Sequence, residues 1–140
     1  MYGISDKCKK LSSAEERVML AVWQARSPIT RSEIARYLPS NEWADATLLN
    51  FLYRLVAKGW LTQGKEGNKN TYVPTVTRRA YGVYTMRERL DTVFGGDVAL
   101  AMTALISESS PSVTALEQGK RVIEEKLAML EDYDWYDPYN

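Results

Sequence analysis

The chain has 140 residues, 45% hydrophobic and 26% charged, with no net charge, enough for one ordinary domain or two very small ones whose core needs no staple. It holds one cysteine, Cys8, and no histidine, which excludes an internal disulfide, Cys/His structural zinc and His-based acid/base or triad catalysis. Met1 to Lys10 is polar and the longest apolar run, Val98 to Ile106, is broken by Thr103, so a soluble cytoplasmic protein is expected, with no membrane contact, metal or cofactor.

Residues 1–10 read as a flexible leader. Ser12 with Glu15, or Ser13 with Glu16, makes a capping box that opens a first helix. Val18, Met19, Val22 and Trp23 supply its wide apolar stripe. Ser27-Pro28 ends it, because the residue before proline leaves the α region. Thr30-Arg31-Ser32-Glu33 is a second capping box, opening a short helix with Ile34, Ala35 and Leu38 inward and Pro39 as its stop. A third helix is expected from about Asp45 to Lys58, with Gly59 as its C-terminal cap. The period then changes. Trp60 to Gly64 and Asn70 to Val73 read as two short strands around a loop, Lys65 to Lys69.

Three helices followed by a hairpin is the order of a winged helix-turn-helix domain, expected over residues 11–76. Helix returns beyond it. Thr77 can cap a helix to about Phe94, Gly95-Gly96 break it, and Asp97 caps another through Ile106. Ser110-Pro111 and Thr114-x-x-Glu117 open a last helix to about Leu130, and residues 131–140 read as a frayed acidic, aromatic tail. The expected fold class is mainly α with a small β-hairpin wing: an N-terminal winged helix-turn-helix and a C-terminal helical dimerisation region over 77–130.

No catalytic constellation is present. There is no Gly-rich phosphate loop, and the carboxylates show no paired spacing. Cys8 beside Lys7, Lys9 and Lys10 reads as an incidental surface thiol. Charge is more informative. Residues 1–80 hold 13 Lys+Arg against 7 Asp+Glu, and residues 81–140 hold 5 against 11, which suggests a front half that meets a polyanion. On the third helix, Leu48, Phe51, Leu52 and Leu55 share the inward face. Ala46, Thr47, Asn50, Tyr53 and Arg54 are left outside, where Asn can pair with adenine, Arg with guanine or phosphate, and a Thr methyl with a thymine methyl. Arg31, Ser32, Lys58, Lys65 and Lys69 complete the candidate DNA-binding set. The same face could instead bind a protein, and an enzyme with an unrecognised carboxylate site is a third reading.

Leu11-Ser-Ser-Ala-Glu15, Val18-Met19, Val22-Trp23, Trp43-x-x-x-Thr47, Arg54-Leu55-x-x-Lys58-Gly59-Trp60-Leu61 and Tyr72-x-Pro74, in this order and spacing, resemble the penicillinase-repressor family (BlaI/MecI/CopY type). The resemblance spans about residues 11–130. It implies a homodimeric winged-helix repressor that binds double-stranded operator DNA with an inverted repeat of the TACA/TGTA kind. Family members control β-lactamase, related antibiotic-resistance genes or copper export. Its DNA-reading Thr falls on Thr47 and its recognition-helix Arg on Arg54. Ala46, Leu49 and Asn50 depart from the family pattern, which makes this helix less basic. The C-terminal Cys-x-Cys pair of copper-responsive members is missing. A sensor protease that cuts an Asn-Phe bond is a partner the resemblance implies for antibiotic-responsive members, but the matching stretch here reads Met86-Arg87-Glu88-Arg89-Leu90.

Residues 77–130 carry more apolar side chains than three short helices can hide alone, so a second copy is the expected facing surface. Tyr84, Leu90, Phe94, Leu100, Leu105, Ile123, Leu127 and Leu130 are the candidate dimer-interface residues. Folding back onto the wing domain as one monomeric core is the alternative.

Overall fold

The computed structural model describes residues 10–39 and 43–134. Cys8, with the rest of the leader, and residues 135–140 of the tail lie outside the described residues. The elements are α1 (Ser13–Gln24), β1 (Ile29–Thr30), α2 (Arg31–Ala35), α3 (Asp45–Ala57), β2 (Leu61–Glu66), β3 (Lys69–Pro74), α4 (Arg78–Phe94), α5 (Val98–Glu108) and α6 (Val113–Asp134). Backbone packing divides them into two units, which meet in sequence between Arg89 and Leu90.

In the first unit the helices start where side chains can replace missing backbone acceptors. Of the two possible boxes on α1, Ser12 and Glu15 form the one present: the Glu15 N–H donates to the Ser12 hydroxyl at 3.2 Å and the Ser12 N–H to the carboxylate at 2.9 Å. Thr30 and Glu33 repeat the arrangement on α2. The α3 helix ends at Ala57, and Gly59 takes the left-handed conformation at φ 87° that a side chain would resist.

The sheet is three-stranded and antiparallel in the order β1-β3-β2. The strand β1, which pairs Ile29 with Tyr72 and Thr30 with Thr71, is absent from the sequence reading because two residues show no alternation. Val18, Met19 and Val22 of α1 pack with Ile34, Leu48, Leu52 and Leu55, and Ile29, Leu61 and Tyr72 close this core from the sheet. Helices, hairpin and packing together make a winged helix-turn-helix.

The first unit also extends beyond the boundary expected at residue 77. Tyr81 explains the shift. Its ring stacks on Trp23 at 5.3 Å and meets Trp60 edge-on at 5.6 Å, and its hydroxyl donates to the Glu16 carboxylate. Burial, and then the Glu16 carboxylate, push its phenol well above the usual tyrosine range. The Trp23 indole N–H donates to the Val76 carbonyl at 2.8 Å, so the start of α4 belongs to the winged-helix core.

In the second unit, Gly95 and Gly96 adopt φ of 60° and 78°, and the Gly96 N–H returns to the Leu90 carbonyl at 3.0 Å to close α4. Asp97 caps α5 as expected, accepting from the Leu100 N–H at 3.0 Å. Three boundaries differ. Ser112 rather than Thr114 caps α6, since its hydroxyl accepts from the Ala115 N–H at 3.1 Å and Thr114 already lies inside the helix. The α5 helix continues to Glu108. The α6 helix runs to Asp134, so the first residues of the expected tail are helical: no proline or glycine lies between Leu130 and Pro138 to stop it.

Candidate nucleic-acid interface

The α3 helix sits on the core by Leu48, Leu52 and Leu55, all buried. At about 100° per residue, that anchoring turns Ala46, Asn50, Tyr53 and Arg54 outward, and all four are exposed. Thr47 lies at the flank of the face and is half-buried, as is Phe51 on the inward side. The Arg54 guanidinium lies over the Phe51 ring at 5.8 Å, and Phe51 in turn packs against Trp43 at 4.9 Å. Arg17 covers Trp43 from α1 at 5.3 Å. Ser32 is exposed in the first turn of α2. Its neighbour Arg31 is tied to Asp45 at 2.9 Å, an ion pair that joins the starts of α2 and α3.

The hairpin is longer and tighter than expected. Lys65 and Lys69 lie within the strands, opposite Asn70 and Glu66 respectively, and only Gly67 and Asn68 turn. Gly67 takes φ 63°, as a two-residue hairpin turn requires. Directly opposed residues share a face, so the two exposed lysines point to opposite faces of the ribbon.

Lys58 corrects the sequence reading. Its ammonium is held by the Glu15 carboxylate at 2.6 Å and by the Lys10 carbonyl at 3.2 Å, so it is not a free cation for phosphate. Glu15 is only 2% exposed, and a buried carboxylate needs a charged partner more than a solvated phosphate does. Burial alone would raise the carboxyl pKa. The Lys58 hydrogen bond, the donors of Ser12 and the ammonium charge reverse that and hold it below its usual range. The signal was only half visible, because the capping box already accounted for Glu15.

Two findings complete the site. Leu49, absent from the candidate set, is exposed on α3 beside Asn50. In the second unit, Leu100, Leu105, Ile123, Leu127 and Leu130 are exposed, and Leu90 and Phe94 are half-buried; Tyr84, also exposed, lies on the part of α4 that belongs to the first unit. An apolar groove between α5 and α6 is lined by Met102, Leu105, Ile106, Leu116 and Ile123.

The sequence profile of the penicillinase repressor family matches residues 11–125. The chain belongs to that family. It is 24% identical to the penicillinase repressor of Bacillus licheniformis over 85% of this chain and 93% of that protein. It is 26% identical to an uncharacterized 16.5 kDa protein of Latilactobacillus sakei, over 89% of this chain and 86% of that one. The solution structure of monomeric B. licheniformis BlaI in complex with the blaP half-operator is 32% identical, covering 53% of this chain and 90% of that one with a TM-score of 0.45. As a penicillinase-repressor family member the chain is a DNA-binding repressor of the BlaI type. Among the described residues no single helix is long and apolar enough to cross a membrane, and no cluster of acidic, Cys or His side chains forms a metal site.

Proposed function

We propose that the chain is a cytoplasmic, homodimeric transcriptional repressor that binds an inverted-repeat operator, placing α3 in the major groove and the wing beside the adjoining phosphates. The observation that supports it most is the outward face of α3, where exposed Asn50 and Arg54 stand one turn apart with Lys65 and Lys69 on the wing. Thr47 at the flank, Ala46 and Tyr53 complete the base-facing set, while Arg31 and Ser32 stand near the backbone. The solved BlaI half-operator complex is a relative's, and lends the proposal its operator. The regulated genes are then of the family's kind, antibiotic resistance among them. A sensor protease acting at the stretch that matches the family's cleavage site, Met86 to Leu90, must cut a bond other than Asn-Phe, since that stretch contains none.

A gel shift with DNA from the chain's own promoter region tests the reading, and no shift at low salt would turn it to the rival protein-binding face. Two variants refine it. Asn50→Ala is expected to weaken cognate binding by about 1–3 kcal/mol while leaving scrambled duplex unaffected. An equal loss on both would make Asn50 a backbone contact. Lys69→Ala is expected to lower the slope of log affinity against log salt by roughly one unit on every sequence, because one fewer phosphate is neutralised. Anisotropy titrations across a salt series measure it.

A further inference from the structure

We infer that α3 selects thymine by its 5-methyl group, with Leu49 and Tyr53 as the specificity-determining side chains. The inference rests on the DNA-binding reading above and adds the base that the face selects.

The outward face of α3 divides lengthwise. Asn50 and Arg54, one turn apart, make a polar strip, and Leu49 and Tyr53, also one turn apart, make an apolar strip beside it. Leu49 is 42% exposed and Tyr53 76% exposed, and the exposed methyl of Ala46 continues the strip towards the helix start. Apolar side chains on an outward helix face usually meet an apolar partner. Here the surround argues for a polyanion instead: Arg54, Lys65 and Lys69 are exposed on the same helix and the wing, and none makes an ion pair among the described residues. The major groove offers one apolar group on its floor, the thymine methyl, next to the adenine edge that Asn recognises bidentately. The two strips are therefore matched to the two halves of one A·T-rich recognition step. Asn50 takes the adenine N6 and N7, while Leu49 and the Tyr53 ring enclose thymine methyls. Cytosine, which presents an amino donor and no methyl, leaves the apolar strip against a polar group.

Deoxyuracil removes only that methyl and leaves the pairing and the hydrogen-bonding edge intact. The full chain is used to enrich a duplex from a randomised pool. That duplex is made once with thymine and once with deoxyuracil throughout, and both are titrated at one salt concentration. Affinity is expected to fall about fourfold for each enclosed methyl lost, the transfer value of one such group. Leu49→Ala and Tyr53→Ala should each bring the thymine-to-uracil ratio towards one without changing the salt slope, and Leu49→Met should preserve the ratio. Equal affinity of the unmodified chain for both duplexes overturns the inference. So does a ratio that neither alanine variant moves, since the methyl would then act through duplex shape. Failure to enrich any sequence overturns the DNA-binding reading itself. Circular dichroism of each variant confirms an intact fold, which the exposure of both side chains allows.

Discussion

Leu127→Glu is expected to turn the chain monomeric at micromolar concentration and to remove tight operator binding, while residues 11–89 stay folded. Leu127 is 53% exposed in the single chain, so a carboxylate there is hydrated in the monomer and costs its fold little. In a two-fold dimer the same change buries two charges, each without a partner. An uncompensated buried charge costs about 3–5 kcal/mol, and two of them weaken association by at least about ten-thousandfold. Leu105, on the groove between α5 and α6, is an equivalent site. Sedimentation velocity on both proteins measures the effect. A monomer in the unmodified chain, or an undisturbed dimer in Leu127→Glu, would refute the proposed architecture.

Lys58→Ala is expected to destabilise the winged helix strongly, by about 3 kcal/mol in urea unfolding at neutral pH. It leaves the Glu15 carboxylate buried with one oxygen already lacking a hydrogen-bond partner. The folded-state pKa of Glu15 lies below its ordinary value. Its contribution is therefore complete above the ordinary carboxylate range, and it is lost as pH falls through the depressed folded value. The gap between the unmodified chain and Lys58→Ala should accordingly close on acidification below about pH 4. The double variant Glu15→Leu with Lys58→Met should recover most of the loss, because an apolar pair of similar volume carries no desolvation cost. A gap that persists unchanged at acid pH would show that Lys58 acts by packing alone.

The fold was legible wherever local chemistry decides it. Capping boxes at Ser12 and Thr30, the stop at Gly59 and the break at Gly95-Gly96 are signals carried by a few adjacent residues, and each marks an element end in the structure. What escaped depends on distant partners. The strand β1 exists because Ile29 and Thr30 meet Tyr72 and Thr71, and the first unit extends past residue 77 because Tyr81 fits between Trp23 and Trp60. The candidate site shows the same division. Helical period alone turned Asn50 and Arg54 outward, whereas no local pattern tells that Lys58 reaches across to Glu15 or that Arg31 is tied to Asp45.

Arg54 resting on Phe51 has a consequence for the entropy of recognition. A free arginine samples many rotamers, and fixing them on binding forfeits up to roughly 2 kcal/mol. With its guanidinium laid over a ring that Trp43 and Arg17 hold in place, much of that freedom is already gone before any duplex arrives. Less disorder is then left to lose at the moment of contact, so in the proposed complex the helix would meet the major groove with a side chain whose direction is set in advance.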